Sequence, residues 1–236
     1  IILISSLLLL FAGFSRAQQF RPPSVPLVAH DPYFSIWSPA DNLYDRETVH
    51  WTGKNQPMHS VIRVDGKSYR VMGSNPTFLE PLKQFDVQVF LTRTVYRFQN
   101  AQVAMELIFT TPALVNDLDI LSRPVTYIAW NVRSNDGKEH DIQLYFDCGG
   151  EIAVNNADQV VQWNSPSVAG LKTLRLGTVD QPVLQKKGDD LRIDWGYAYV
   201  AVPEIQNPMI LVGGRDQLLK GFISDGTIPS ASNLSQ

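Results

Sequence analysis

Two short segments near the N-terminus combine imidazole, carboxylate and aromatic side chains at a spacing that could bind a ligand. The first is HDPYFSIWSP at residues 30–39, and the second is TVHWTG at residues 48–53. Aromatic faces stack on small polar ligands such as sugars and amino acids, while hydrogen-bonding groups fix the ligand's orientation. Alternatively, the same aromatic side chains anchor an irregular segment on the protein core. The candidate ligand-binding or domain-interface residues are His30, Asp31, Tyr33, Trp37, His50 and Trp51.

Other residues that could perform catalysis or hold a cofactor do not occur at recognisable spacings. The four histidines form neither HxH nor HExxH, and no CxxC, GxSxG, GxGxxG or P-loop pattern is present. We therefore expect no metal and no cofactor, and the spacing identifies no catalytic residue. The single cysteine, Cys148, alternates with Ile142, Leu144 and Phe146, which predicts a buried structural thiol rather than a nucleophile.

Composition and charge limit the class of protein. The chain has 236 residues, of which 44% are hydrophobic and 18% charged, and its formal net charge is −3. This composition is typical of a globular protein with a sizeable core. The basic residues are scattered and form no stripe that could neutralise phosphates, so we expect no nucleic-acid partner.

The first residues resemble a targeting signal. Residues 1–14 are almost all apolar, and they are followed by Ser15-Arg16-Ala17, a small-x-small pattern typical of a signal-peptidase site. The apolar run is short for a membrane span, although a membrane anchor or a buried helix is the alternative. We predict a signal peptide over residues 1–17 with an incomplete start, a secreted or periplasmic location, and no membrane association after cleavage.

Strands are the predicted elements that position the candidate residues. Apolar residues alternate over 85–91 and 103–109, with Gln99-Asn100 as the expected turn between these two strands. Asp65-Gly66 predicts a tight hairpin joining 61–64 to 68–71, since glycine supplies the positive φ that such a turn needs. A second hairpin is expected to join 125–133 to 141–148.

The C-terminal third continues this pattern. A strand is predicted over 191–199 and ends by Pro203, and only residues 216–222 have the composition of a short helix. Frequent strands separated by glycine and proline favour an all-β fold, a β-sandwich of two antiparallel sheets. An irregular β segment rich in proline and aromatic residues precedes it.

The chain divides into three predicted parts. After the signal peptide, residues 18–80 form the N-terminal β segment, and residues 81–236 form the sandwich domain. The boundary follows the non-periodic stretch 77–83 between two prolines. We expect the sandwich to be incomplete at its C-terminal end.

Several of these motifs resemble the glutaminase A-like family. The resemblance rests on HDPYFSIWSPAD at residues 30–41, HWTG at 50–53 and RVDGK at 63–67, followed by RPVTY at 123–127 and DWGY at 194–197. It covers roughly residues 20–203. Members of that family are secreted enzymes, several times longer, that hydrolyse L-glutamine to L-glutamate and ammonia.

The resemblance implies a partner domain that carries the catalytic groups. In the family the β region precedes a helical domain similar to the (α/α)6 toroids of glycoside hydrolases, and that domain is expected to carry the catalytic groups. The implied partners are this helical domain of the same polypeptide and a small polar substrate, glutamine or a sugar. The implied function is the N-terminal, non-catalytic part of an exported glutaminase-type hydrolase.

Two other function classes stay open at this point. One is the corresponding part of a glycoside hydrolase-like enzyme, because fold alone does not determine function. The other is a stand-alone module that binds a carbohydrate or another small ligand through its aromatic segment. A helical continuation beyond Gln236 would favour an enzyme over a binding module.

Overall fold

The computed structural model describes residues 21–228, so the predicted signal peptide lies outside the described residues. This part of the chain is built mainly from short antiparallel strands. They are β1 (Val25–Asp31), β2 (Phe34–Ser38), β3 (Val49–His50), β4 (Met58–Val64), β5 (Lys67–Met72), β6 (Lys83–Val89), β7 (Arg93–Gln99), β8 (Val103–Thr110), β9 (Tyr127–Ser134), β10 (Ile142–Cys148), β11 (Val161–Asn164), β12 (Leu171–Thr178) and β13 (Ala198–Pro203). The helices are α1 (Leu118–Leu121) and α2 (Arg215–Asp225), with 3-10 turns at Gly150–Ala153 and Glu204–Gln206.

The strands form four antiparallel sheets with the orders β1-β2-β3, β10-β4-β5, β11-β12-β13 and β6-β7-β8-β9. The predicted all-β sandwich is therefore confirmed. The sheet β10-β4-β5 and the sheet β6-β7-β8-β9 contribute most of the main core, and the β1-β2-β3 sheet adds to it. Among residues 21–228, no helix has both the length and the apolar composition needed to cross a bilayer.

Aromatic side chains connect the two main sheets. The Trp130 indole meets the Phe146 ring edge-on at 5.7 Å, and its Nε1 donates a hydrogen bond of 3.1 Å to Ser60 Oγ. Tyr96 and Phe98 on β7 are fully buried in the same core. Burying a side chain of this size contributes about 1.5–3 kcal/mol. Core residues come from both sides of the predicted boundary at 80/81, and the boundary itself stays a prediction.

Side chains on the two faces of β4 contact two different hydrophobic clusters. Met58 and Ile62 face the main core, whereas Val61 faces a second cluster formed with Leu218 and Phe222 of α2. The predicted short helix is confirmed, and α2 covers the outer face of the β10-β4-β5 sheet. On β10, the Tyr145 ring packs against Phe222 at an interplanar angle of 40°, with ring centroids 5.3 Å apart.

The first predicted hairpin is confirmed. β4 and β5 pair across Asp65-Gly66, where both residues have positive φ, at 49° and 87°. This is the backbone conformation that the two-residue turn requires. Cys148 ends β10 and is half-buried against the main core.

The second predicted hairpin is wrong. β9 pairs with β8 and β10 pairs with β4, so the two strands lie in different sheets. The polar turn after β9 therefore carries the chain from one layer of the sandwich to the other. Strand pairing here is decided by distant partners and not by the local turn.

Three other predictions of secondary structure differ from the structure. A strand that the sequence analysis missed, β7, lies between the two alternating segments, and Phe85 is exposed because the register shifts between Gln84 and Asp86. Residues 191–197 are irregular, and β13 begins only at Ala198. The four-residue helix α1 lies in a region where no helix was expected.

Candidate functional site

The N-terminal sheet brings four of the six candidate side chains to one surface. β1 and β2 form a hairpin, and β3 pairs with β2 on its other side, which places residue 51 beside the hairpin turn. We call the resulting shallow surface the aromatic depression. It has a volume of about 450 Å³ and is lined by Ala29, His30, Asp31, Pro32, Ser35, Trp37 and Trp51.

The Pro32 carbonyl holds the second aromatic segment in place. Trp51 Nε1 donates to this oxygen at 2.6 Å, and His50 Nε2 lies 3.1 Å from it. The backbone N–H of Thr52 donates to His50 Nδ1 at 3.3 Å, so Nδ1 accepts and Nε2 carries the proton of a neutral imidazole. The Trp51 side chain remains half-exposed, at 51%.

His50 is therefore a supporting residue and not a lining residue. It is fully buried, and burial lowers its pKa, as does the positive charge of Arg192. Arg192 is also buried, and its Nη1 donates to Thr52 Oγ1 at 2.9 Å. The Arg192 Nε donates to the Asn155 carbonyl, also at 2.9 Å. This arginine ties the second aromatic segment to the C-terminal half of the chain.

Asp31 shapes the hairpin turn. Its Oδ1 accepts the backbone N–H groups of Tyr33 at 2.7 Å and Phe34 at 3.1 Å. Among the described residues, no protein group donates to Oδ2, so this oxygen can accept a hydrogen bond from a ligand. The Tyr33 side chain is half-exposed but does not line the depression, and its carbonyl accepts from Ile193 N at 3.0 Å.

His30 and Trp37 complete the lining. The His30 ring stacks on Phe34 at 5.5 Å, and its Nε2 lies 3.3 Å from Thr126 Oγ1. Its Nδ1 is buried without a partner among the described residues. Burial lowers the pKa of His30 although the Asp31 charge opposes this, so the ring is neutral at pH 7. Trp37 Nε1 donates to Ser35 Oγ at 2.6 Å. The depression is thus lined by two tryptophan side chains and by Asp31.

A second group of ionisable residues was missed by the sequence analysis. We call Glu47, His59, Asp147 and Arg215 the His59 cluster. His59 Nε2 lies 2.9 Å from Glu47 Oε2, and its Nδ1 lies 3.3 Å from Asp147 Oδ1. Arg215 Nε lies 2.8 Å from the same Asp147 oxygen. The cluster links the N-terminal segment, β4, β10 and α2, and its members are too far apart in sequence for a motif.

Pairing keeps the His59 cluster ionised. Burial alone would lower the pKa of His59, but hydrogen bonds to Asp147 and Glu47 outweigh it and raise the pKa above 6.5. Burial would likewise raise the pKa of Glu47, yet hydrogen bonds from His59 and Ser74 bring it down to about 2. His59 is 1% exposed, whereas Glu47, Asp147 and Arg215 are 22%, 16% and 29% exposed. The imidazole is therefore buried inside a structural network of ion pairs.

Two further side chains, His140 and Cys148, are poorly suited to catalysis. His140 bridges Asp65 at 2.6 Å and Asp136 at 2.9 Å, which joins the β4–β5 turn to the β9–β10 connection. Burial raises the pKa of the Cys148 thiol to about 12, so the reactive thiolate is scarce at neutral pH. Within residues 21–228, no group of three or more His, Cys, Asp or Glu side chains could hold a metal ion.

Comparison with known protein families places the chain in a class without an assigned role. The model of a domain of unknown function, DUF5127, matches residues 92–236, and the chain belongs to this family. A second domain of unknown function, DUF4964, matches residues 11–84. The aromatic depression is built mainly by residues of the second match, whereas the partners of His59 come from both.

Among curated proteins, the chain is similar to glutaminase A of Aspergillus oryzae. The two are 27% identical over 243 residues, which covers 98% of this chain and 34% of glutaminase A. The chain therefore spans about a third of the length of this relative. No solved structure matches the chain.

Proposed function

We propose that this chain is the N-terminal, non-catalytic part of an exported hydrolase that converts L-glutamine to L-glutamate and ammonia. The observation that carries the proposal is the similarity to glutaminase A over 98% of the chain but only 34% of that enzyme. A helical domain of the same polypeptide is the proposed partner, and it would carry the catalytic groups. The substrate would be a small polar molecule.

The state of the ionisable side chains supports a non-catalytic role. His59 is locked between two carboxylates, His50 is buried under the Pro32 carbonyl, and His140 bridges two aspartates. The Cys148 thiol is kept protonated by burial. Each of these groups already has a structural partner or an unsuitable pKa, so none is prepared to attack an amide or transfer its proton.

The aromatic depression supports a role at the edge of a ligand site. Trp51 presents half of its indole surface, and Asp31 keeps one carboxylate oxygen available. His30, whose pKa is lowered by burial, lines the same depression. We propose that this surface faces the catalytic domain and forms part of the rim of its substrate site.

The proposal is tested with the full-length polypeptide. The reading frame should continue beyond Gln236 into a helical domain, and the whole protein should release ammonia from L-glutamine. The 236-residue chain alone, purified in the same way, should release no more ammonia than a heat-denatured control. A reading frame that stops at Gln236, or ammonia release by the chain alone, would overturn the proposal.

One observation favours a second candidate. A half-exposed tryptophan beside a carboxylate oxygen also suits a sugar ring, so the full-length protein could be a glycoside hydrolase-like enzyme. Release of reducing sugar without release of ammonia would identify this alternative. Sugar binding by the chain without any catalytic continuation would instead identify a stand-alone binding module.

Export belongs to the same proposal and has its own test. Cleavage after Ala17 would leave Gln18 as the first residue of the mature protein. N-terminal sequencing of the secreted protein should therefore start at Gln18 or at its pyroglutamate form. A secreted protein that still carries residues 1–17 would contradict the predicted signal peptide.

A further inference from the structure

The connection between β8 and β9 exposes an unusual number of apolar side chains. Leu114 is 53% exposed, Val115 77%, Leu118 74% and Leu121 43%. The helix α1 lies within this connection, and none of its residues is buried. Leu118 and Leu121 are three residues apart, so both lie on one side of the helical turn. A helix that buries nothing gains no stability from tertiary packing.

The connection has a defined position. The Asp117 side chain accepts from Ile120 N at 3.0 Å and caps α1. At the base of the connection, Thr111 Oγ1 lies 2.7 Å from Thr126 Oγ1, and Thr111 N donates to the Thr92 carbonyl at 3.0 Å. These contacts attach it to the β6–β7 turn.

The same contacts place the connection next to the aromatic depression. Thr126 Oγ1 lies 3.3 Å from His30 Nε2, and His30 lines the depression. Leu91 precedes Thr92 in the adjoining turn and is fully exposed. We define the apolar rim as Leu91, Leu114, Val115, Leu118 and Leu121. The connection that carries most of the rim therefore ends beside the depression, where Thr126 contacts His30.

An exposed apolar surface of this kind marks a contact site. Soluble monomers carry single exposed hydrophobic residues, whereas contiguous apolar patches usually face a partner, a membrane or a ligand. The rim gathers four such side chains within eight residues of sequence. Two carboxylates, Asp117 and Asp119, flank Leu118, which disfavours insertion into an anionic membrane surface.

We infer that the apolar rim is the docking surface for the rest of the same polypeptide. This inference rests on the proposed function, because it requires a catalytic part beyond this chain. Glutaminase A is about three times as long as the matched region, so most of a protein of this kind would be available to cover the rim. The link between Thr126 and His30 places the rim within reach of a partner that faces the aromatic depression.

The inference predicts protection of the rim in the full-length polypeptide. Cysteine is introduced at Leu118→Cys, at Val115→Cys and, as a matched control, at Ile205→Cys, a residue that is 94% exposed and lies outside the rim. Each protein is treated with a thiol reagent under native conditions and in urea. The extent of labelling at each site is then measured by peptide mapping. Cys148 is half-buried and its pKa is raised to about 12, so it should contribute little background under native conditions.

We expect the two rim cysteines to react at least 10-fold more slowly than the control cysteine in the native protein, with equal rates in urea. Protection should not change on dilution. Equal native rates at all three sites would overturn the inference, and so would protection that is lost on dilution, because a second copy would then be the occupant. The labelling measurement does not depend on enzymatic activity. Protection of the rim in a protein that releases no ammonia would therefore reject the proposed glutaminase activity and support the docking surface.

Discussion

Replacing His59 with glutamine should destabilise the protein substantially. The His59 side chain is 1% exposed, and its carboxylate partners Glu47 and Asp147 are 22% and 16% exposed. Breaking a buried ion pair by removing one partner typically costs about 3–5 kcal/mol. Two contacts reduce the loss in this case, because Asp147 keeps Arg215 and Glu47 keeps its hydrogen bonds from Ser74. We therefore expect a loss of about 3 kcal/mol, at the lower end of that range.

The pH dependence gives the prediction a specific signature. The pKa of His59 is raised in the folded protein, so its contribution to stability is complete below 6.5 and is lost as pH rises through the raised value. His30 and His50 have lowered pKa values and act with the opposite sign, but both are unchanged in the variant. The difference between the native protein and His59→Gln should therefore be largest near pH 5–6 and smaller at pH 8–9.

The assay is urea unfolding followed by tryptophan fluorescence at several pH values between 5 and 9. Lys67→Gln is a suitable control, because Lys67 is exposed and its contacts with Glu80 and with the Tyr69 ring should together contribute much less stability than the buried pairs of His59. A difference between the native protein and His59→Gln that stays constant across this pH range would contradict ionic pairing. Unchanged stability in His59→Gln would refute the buried network as a whole.

Three other predictions have defined outcomes. Trp51→Ala in the full-length protein should lower specific activity with nearly normal secreted yield, since Trp51 is 51% exposed. A collapsed yield with unchanged specific activity would contradict the proposal that the depression borders the substrate site. Gly177→Ala should lower the free energy of unfolding by about 1–3 kcal/mol, because the new Cβ would lie 2.6 Å from the Gly196 carbonyl. Gly150→Ala meets only ordinary contact at 3.7 Å and serves as its control in the same urea titration. Cys148 should react with iodoacetamide at pH 8 far more slowly in the folded protein than in urea, because its pKa is raised to about 12. Comparable rates would contradict the raised pKa.

Local chemistry explains which parts of the fold the sequence predicts correctly. The Asp65-Gly66 turn was predictable because its positive φ values depend on two adjacent residues. β7 was missed because Val95 and Tyr96 are buried on opposite faces, so the apolar pattern does not alternate cleanly. The pairing of β10 with β4 joins residues about 80 positions apart. No local pattern specifies such a partner.

At the candidate site, too, contacts between residues close in sequence were predictable and contacts between distant residues were not. His30 and Trp37 come together because one tight hairpin connects their strands, and Trp51 joins them through the next strand along the chain. Whether this surface binds a ligand stays a prediction. The His59 cluster could not be predicted, because Asp147 lies 88 residues from its histidine. His59 lies on the outer face of β4, and residues distant in sequence, Glu47, Gly73 and Asp147, pack against its ring.

The pairing of β4 with β10 has a consequence for biosynthesis. β4 sits between β5 and β10 in its sheet, so one edge of β4 stays unpaired until residue 148 has been made. At about 5–20 residues per second, synthesis of the intervening chain of roughly 80 residues takes about 4–16 s. An exposed strand edge can pair with other chains during that time. We therefore expect nascent chains that end before β10 to depend more strongly on a chaperone than chains that include β10.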